Sequence, residues 1–170
     1  MDLKSLVRSI PNFPKEGLLF RDITPLIADP EGFHELIGQM ADKLKDKNID
    51  VVVGPEARGF IFSAALAQAM KVGLVLARKP GKLPYKTISH EYALEYGTDE
   101  LQIHVDSIKP GQRVAIVDDL LATGGTALAC AKLCEKAGGI VADCCFVIEL
   151  TDLPGRETLK DYPVDTILQY

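Results

Sequence analysis

Short apolar runs alternate with stretches of helical character over most of the chain beyond residue 50. The runs are rich in β-branched residues and lie at 51–54, 74–78, 113–119, 142–149 and 164–168. Residues 60–70 and 126–137, which lie between runs, have the length and periodicity of helices. Unbroken apolar runs are typical of strands that are buried on both faces of a parallel sheet. The pattern therefore predicts an α/β fold that binds its ligands at the carboxyl ends of the strands.

The first 50 residues follow a different pattern. A short amphipathic helix that ends at Pro11 is predicted by the helical spacing of Leu3, Leu6, Val7 and Ile10. An ordered irregular segment is predicted over residues 12–30, around the apolar patch Leu18, Leu19, Phe20 and Ile23. A second amphipathic helix is predicted to begin at Pro30 and end near Asn48.

Residues 80–104 interrupt the alternation of strand and helix. This segment is rich in Gly, Tyr, Lys and Glu, and its apolar residues occupy alternate positions at 92, 94 and 96 and again at 101 and 103. Alternation in two neighbouring stretches predicts a β-hairpin. We expect this hairpin to form a flexible flap.

Composition and charge restrict the class of protein. With 170 residues, of which 47% are hydrophobic, the chain is expected to form a single domain. The net charge of −5 argues against nucleic acid as a partner, since polyanion binders present a basic surface. The N-terminus has no long apolar run, so neither a signal peptide nor a membrane span is expected. A cytoplasmic location is therefore expected. The four cysteines lie in apolar segments without metal-ligand spacing, which predicts reduced core thiols.

Residues 114–126 carry the strongest chemical signal in the sequence. They run as an apolar strand, the carboxylates of Asp118 and Asp119, a small-residue turn and the start of a helix. The turn consists of Ala122, Thr123, Gly124, Gly125 and Thr126. Such a turn lets several backbone N–H groups point at one place beside a helix N-terminus, and together they bind an anion. Because the two carboxylates can accept hydrogen bonds from ribose hydroxyls, a sugar phosphate is the predicted ligand.

Other nucleotide-binding motifs and a purely structural turn are the alternatives for this segment. The sequence contains neither GxGxxG nor GxxxxGK[ST], so the dinucleotide and Walker-type interpretations lose their main support. An acidic pair followed by an ordinary glycine turn would explain an isolated DD or GG. The combination of strand, acidic pair, turn and helix favours the binding site.

The same segment resembles the signature with which type I phosphoribosyltransferases bind phosphoribosyl pyrophosphate (PRPP). Its form over residues 118–126 is similar to that of the adenine-specific members of the family. Further matches occur in order along the chain at 12–14, 20–25, 56–60, 81–84, 94–97 and 149–151. The resemblance implies a Rossmann-like parallel sheet flanked by helices, with a small N-terminal hood over residues 1–30 and the flap over residues 80–104.

The resemblance also implies roles around PRPP. The turn at residues 122–126 would bind the 5-phosphate, and Asp118 and Asp119 would face the ribose 2- and 3-hydroxyls. Arg58 would meet the pyrophosphate through paired charge-assisted hydrogen bonds, with a plain surface arginine as the alternative. Lys82, beside Arg78 and Lys79, would help to neutralise the pyrophosphate, although a solvated basic loop explains each of the three nearly as well.

The hood and the flap would complete the site. The adenine pocket would be shaped by Leu18, Leu19, Phe20 and Arg21, a patch that the sequence alone would assign to the core. On the flap, Glu95 is the candidate general acid or base and Tyr96 would help to cover the site. The alternative for Glu95 is an exposed hairpin carboxylate like that of Glu91.

By this resemblance the chain is a purine salvage enzyme that transfers the phosphoribosyl group of PRPP to adenine, forming AMP and pyrophosphate. Mg²⁺ is the implied cofactor, bound mainly through PRPP and pyrophosphate oxygens. A homodimer is also implied. Apolar residues around 60–62 could form its interface, although core packing explains them equally well.

Two other functions remain open at this point. A related enzyme could act on guanine, hypoxanthine or xanthine, and only the resemblance of residues 13–25 argues against it. A PRPP-sensing transcriptional regulator would carry an added DNA-binding module. The strand-and-loop pattern begins within about 20 residues of Met1, which leaves no room for a helix-turn-helix module. A stand-alone enzyme is therefore expected.

Overall fold

The computed structural model describes residues 1–94 and 96–170, and a β-hairpin dominates its N-terminal part. After a 3-10 turn at Leu3–Leu6, strand β1 (Arg8–Pro11) pairs antiparallel with β2 (Leu19–Asp22). The predicted helix over residues 3–10 is therefore wrong beyond Leu6. Residues 8–11 satisfy their backbone groups through β2, a partner that helical periodicity cannot reveal. Helix α1 (Thr24–Ala28) follows, so the hood contains more regular structure than predicted.

Helix α2 (Pro30–Leu44) confirms the second predicted helix, although it ends before Asn48. Asp29 caps it by accepting a hydrogen bond from the Gly32 amide at 2.7 Å, and Pro30 occupies the first position, where its fixed φ is favourable. Asn48 adopts a φ of 53°, which turns the chain toward the sheet.

From residue 51 onward, strands and helices alternate as the apolar pattern predicts. The elements are, in chain order, β3 (Val51–Pro55), α3 (Gly59–Met70), β4 (Gly73–Ala77), β5 (Thr87–Ala93), β6 (Thr98–His104), β7 (Arg113–Leu121), α4 (Gly125–Lys136), β8 (Ile140–Glu149), α5 (Gly155–Thr158) and β9 (Val164–Gln169). Five strands form a parallel sheet in the order β4-β3-β7-β8-β9, which confirms the α/β fold. Because β3 and β7 are neighbours, the segments that follow them meet at one edge of the sheet.

The central strands are buried on both faces. One face packs against α2 and α3, and Val52 and Phe62 belong to the same hydrophobic cluster on this side. The opposite face packs against α4, in a cluster that contains Val53 and Leu133. In the described part of the chain, no helix combines the length and the apolar content needed to cross a membrane.

The four cysteines belong to this core. All four are free and buried, which confirms the predicted core thiols. Burial raises the pKa of Cys134 and of Cys144 to about 12. Since the thiolate is the reactive form, these residues are inert at neutral pH.

Strands β5 and β6 form the predicted hairpin, which lies against α4. The strands are antiparallel and pair Tyr92 with Asp99. Lys136 of α4 donates a hydrogen bond from Nζ to the Ser89 carbonyl at 2.6 Å. Glu95 lies outside the described residues, and the flexibility of the flap stays a prediction.

Candidate active site

The loop between β7 and α4 lines a polar cavity of about 300 Å³ at the carboxyl edge of the sheet. All five residues of the predicted phosphate loop, Ala122, Thr123, Gly124, Gly125 and Thr126, line this cavity. Opposite them, the cavity is bounded by Asp118, Asp119 and the segment from Glu56 to Arg58. The structure therefore brings together the strand-end carboxylates, the glycine turn and the predicted pyrophosphate arginine.

Gly124 gives the loop its sharp turn. This residue caps α4 with a φ of 87°, in the left-handed region that favours glycine. A Cβ at this position would lie 3.0 Å from the Gly155 carbonyl oxygen and 3.0 Å from Thr158 Cβ. Both the backbone conformation and the contact with α5 thus require glycine, and the first amides of α4 are left beside the cavity.

Arg58 and the two aspartates form the charged wall of the cavity. Arg58 precedes the first residue of α3, and its Nε lies 2.5 Å from Asp119 Oδ2. The Asp119 amide in turn donates a hydrogen bond to Asp118 Oδ1 at 2.8 Å. The hydrogen bond to Asp119 raises the pKa of Arg58. Burial, and next the charge of Asp119, raise the pKa of Asp118 well above its ordinary value.

A second, mainly apolar cavity of about 270 Å³ adjoins the polar one. The residues common to both cavities are Arg58, Asp119 and Leu120. The predicted base-pocket residues all line the apolar cavity, namely Leu18, Leu19, Phe20 and Arg21. Leu18 and Leu19 are 43% and 53% exposed, so they line a cavity and do not belong to the core. The edge-to-face pair of Phe13 and Phe20, with ring centroids 5.2 Å apart, forms part of its wall.

The guanidinium of Arg21 contacts two residues outside the predicted site. Its Nη1 donates a hydrogen bond to Ser9 Oγ at 2.5 Å, and its guanidinium lies 4.1 Å from the centroid of the Tyr170 ring. Arg21 lines the apolar cavity, and its role in binding the base stays a prediction.

Two acidic residues contact the basic cluster of Arg78, Lys79 and Lys82, and neither contact was predicted from the sequence. Glu56 Oε1 accepts a hydrogen bond from the Lys79 amide at 2.7 Å and lies 3.3 Å from Arg78 Nε. The Lys79 ammonium pairs with Asp99 on the hairpin. Lys82 is exposed and is not among the described residues that line the two cavities. No sequence signal distinguished Asp99, because its contact depends on the register of the hairpin.

The hairpin approaches the loop at residues 122–126 through Tyr92. A Cβ at Gly125 would lie 4.0 Å from Tyr92 Cδ2, and the Tyr92 hydroxyl lies 3.4 Å from Asp99 Oδ2. Tyr96, next to the tip, is 87% exposed. The predicted covering role of Tyr96 thus requires the hairpin tip to approach the cavities when substrate is bound, and it stays a prediction together with the role of Glu95.

Comparisons with known proteins identify the family of this chain. Residues 27–169 match the family model of the phosphoribosyl transferase domain, and the chain belongs to the phosphoribosyltransferase family. A relative from Clostridium perfringens, an adenine phosphoribosyltransferase, is 61% identical over all of this chain and 99% of its own length. The chain thus groups with the adenine phosphoribosyltransferases of the family.

Solved structures agree with this placement. The adenine phosphoribosyltransferase of Thermoanaerobacter pseudethanolicus superposes with a TM-score of 0.94 at 48% identity, covering 99% of this chain and 98% of that one. The enzyme of Saccharomyces cerevisiae, solved with adenine and an imino-altritol bisphosphate, gives a TM-score of 0.90 at 41% identity. That match covers 96% of this chain and 94% of the yeast chain. The similarity therefore includes the hood and the hairpin as well as the sheet.

Proposed function

We propose that this protein transfers the 5-phosphoribosyl group of PRPP to adenine and releases AMP and pyrophosphate. The observation that carries the proposal is the junction of the two cavities at Arg58, Asp119 and Leu120. A sugar phosphate fits the polar side and a planar apolar base fits the other side, so the bond between sugar and base would form where the two meet. The occurrence of adenine in the structure of the yeast relative supports this choice of base.

In this proposal each part of the polar cavity meets a different part of PRPP. The loop amides and the hydroxyls of Thr123 and Thr126 bind the 5-phosphate. Asp118 and Asp119 accept hydrogen bonds from the ribose hydroxyls, and the negative charge of Asp119 stabilises the positive charge that develops on the ring. Arg58 turns from Asp119 toward the pyrophosphate as that group leaves.

The reaction is a displacement at C1 of the ribose. Adenine N9 forms a bond to C1, and the bond from C1 to the pyrophosphate oxygen breaks with its electron pair on pyrophosphate. The N9 proton passes to a base, for which Glu95 on the flap is our candidate. The protein contributes orientation, charge stabilisation and exclusion of water, since water at C1 would hydrolyse PRPP.

We also propose that the reaction uses Mg²⁺. Among residues 1–94 and 96–170, no group of three His, Cys, Asp or Glu side chains is arranged to hold a metal ion. The donors that fit are the carboxylates of Asp118 and Asp119, since Mg²⁺ favours one or two carboxylates together with substrate phosphates and waters. When bound, the ion would neutralise charge on the pyrophosphate.

A homodimer and a cytoplasmic location complete the proposal. Phe62 is fully buried and belongs to the core. Ile61 is 38% exposed, and Leu74 and Leu76 of edge strand β4 are 39% and 38% exposed. This apolar edge supports an interface with a second copy. The four free cysteines support a reducing compartment such as the cytoplasm.

The test supplies purified protein with PRPP, Mg²⁺ and one of four bases, namely adenine, guanine, hypoxanthine or xanthine. Nucleotide and pyrophosphate are measured in each reaction. We expect AMP from adenine alone, and no product from an Asp118→Asn/Asp119→Asn variant that still folds. Turnover of a 6-oxopurine would overturn the choice of base. If the protein bound PRPP but formed no product from any base, it would be a PRPP sensor and not an enzyme.

A further inference from the structure

Glu149, the last residue of β8, is buried and lies at the centre of a hydrogen-bond network beside the active site. It is 5% exposed, and its carboxylate accepts hydrogen bonds from Arg156 Nε at 2.7 Å and Arg156 Nη2 at 3.0 Å. Thr166 Oγ1 and Gln169 Nε2 of β9 each donate a further hydrogen bond at 3.0 Å. The arrangement is a two-pronged Arg–carboxylate pair in which Oε2 also accepts from Thr166 and Gln169, and a two-pronged pair fixes a geometry more firmly than a single contact.

This network places α5 directly behind the phosphate loop. Arg156 follows Gly155, the first residue of α5. A Cβ on Gly155 would lie 2.7 Å from the Ala122 carbonyl oxygen and 2.6 Å from Leu121 Cγ. The Gly155 carbonyl and Thr158 in turn are the groups that a Cβ on Gly124 would meet at 3.0 Å. The loop therefore rests on α5 without room for a methyl group on either side.

From these contacts we propose that Arg156 is a positioning residue for phosphate binding. Through its pair with Glu149 it clamps α5 against the backbone of residues 121–124, so that the loop amides are preorganised for the 5-phosphate. This inference rests on the proposed function only in taking the loop at 122–126 as the phosphate site. Neither Arg156 nor Glu149 lines the polar cavity among the described residues.

The physical basis is the entropy of loop ordering. A loop held by neighbouring backbone does not have to be ordered when the anion binds, and preorganisation improves binding by reducing that cost. The pair with Arg156 also lowers the pKa of Glu149, which keeps the carboxylate charged at neutral pH. Loss of the clamp should therefore weaken PRPP binding more than it slows the bound reaction.

The test changes Arg156 and leaves Glu149 intact, because Ile148 and Leu150 on either side of Glu149 line the apolar cavity. In Arg156→Met we expect the KM for PRPP to rise about tenfold, with kcat and the KM for adenine changed by less than about threefold. Arg156→Lys keeps one charged contact and should recover part of the lost affinity.

Lys47→Met is the matched control for a loss of stability. Lys47 pairs with Asp143 at 3.0 Å and Asp165 at 2.6 Å, at the amino ends of β8 and β9, on the opposite edge of the sheet. This variant should lower the melting temperature at least as much as Arg156→Met while leaving the KM for PRPP unchanged. An equal rise in both variants would show a general effect of stability and overturn the proposal.

Calorimetric titration with ribose 5-phosphate provides a readout that does not depend on catalysis. We expect Arg156→Met to weaken its binding about tenfold and Lys47→Met to leave it unchanged. If the wild-type protein forms no AMP, the proposed function fails, yet this titration still tests the clamp. Unchanged binding of ribose 5-phosphate in Arg156→Met would reject the clamp even in an active enzyme.

Discussion

Arg58 Nε lies 2.5 Å from Asp119 Oδ2, and both residues line the polar and the apolar cavity. The pair therefore stands at the point where a base and a sugar would be joined. Asp119 orients the guanidinium before substrate arrives, and it leaves the two Nη groups of Arg58 free of this contact. A pyrophosphate could then form charge-assisted hydrogen bonds to those groups while the pair rearranges.

Removal of the Arg58 guanidinium should slow the chemical step. We expect Arg58→Met to lower kcat/KM for PRPP about 100-fold, since in our proposal Arg58 neutralises charge that appears on the leaving group. Initial rates at saturating adenine measure the effect. Arg58→Lys keeps the charge but loses the paired donors of the guanidinium. Its kcat/KM for PRPP should therefore lie between those of the wild type and Arg58→Met. Activity of Arg58→Met within threefold of wild type would show that another group carries this role.

Asp118 should oppose folding while it supports catalysis. Its pKa is raised by burial and by the charge of Asp119. Above pH of about 4 the folded protein therefore holds a proton that the unfolded chain has lost, and the free energy of unfolding falls as the pH rises toward the folded pKa. Asp118→Asn removes this titration, yet it retains an oxygen for the Asp119 amide.

We therefore expect Asp118→Asn to melt at a higher temperature than the wild type at neutral pH, and to form AMP more slowly. Thermal unfolding at several pH values from about 4 upward tests the sign, because the gap in melting temperature should widen with pH. A gap that is constant over this range would mean that Asp118 does not titrate as the geometry implies.

The turn at residues 122–126 and the sheet could be predicted because their signals are local. An apolar run at 113–119, the acidic pair and two glycines follow one another, and β7, the loop and α4 appear in that order. The carboxyl edge of a parallel sheet then brings Arg58, which follows β3, to the same cavity. The pairing of β3 with β7 itself was not visible in the sequence.

Contacts between distant segments could not be predicted. Residues 8–11 have helical spacing, yet they pair with β2, where Ser9 faces Arg21. The contact of Lys79 with Asp99 depends on the hairpin register, and the packing of Gly155 against the loop depends on the path of α5. In each case the partner is decided by tertiary packing, so residue type and local spacing carry no signal of it.

Gly124 should show two separable effects on substitution. In Gly124→Ala the alanine would have to adopt a φ of 87°, which is unfavourable for a residue with a side chain. Its Cβ would also lie 3.0 Å from the Gly155 carbonyl oxygen and from Thr158 Cβ. Gly111→Ala is the matched control, because its φ is 84° and nothing lies within 4 Å of the added Cβ. We expect the control to lower the free energy of unfolding by about 1 kcal/mol and Gly124→Ala to lower it further.

Urea unfolding measures both variants of this pair, and only Gly124→Ala should also weaken binding of ribose 5-phosphate. Equal losses of stability in the two variants would mean that the loop yields readily to α5. Such a result would also weaken the case for a clamp behind the loop.

The apolar cavity should control the affinity for the base alone. Phe20 lines this cavity and packs edge-to-face on Phe13. We expect Phe20→Ala to raise the KM for adenine about tenfold, through loss of apolar and aromatic contact, and to change the KM for PRPP by less than about threefold. Tyr85→Ala, which removes a 57% exposed aromatic ring outside both cavities, is the control. A parallel rise in both KM values of Phe20→Ala would indicate a collapsed hood.

Glu95 is the residue whose role most needs a direct test, and Glu91 of the same hairpin provides the matched control. Each substitution to Gln removes one negative charge from the hairpin, so an effect of net charge would appear in both. If Glu95 accepts the N9 proton, Glu95→Gln should lower kcat about 100-fold and remove the acidic limb of its pH profile. Glu91→Gln should stay within twofold of the wild type. Equal changes of kcat in Glu95→Gln and Glu91→Gln would show that Glu95 has no specific role in proton transfer. The N9 proton would then pass to solvent or to pyrophosphate.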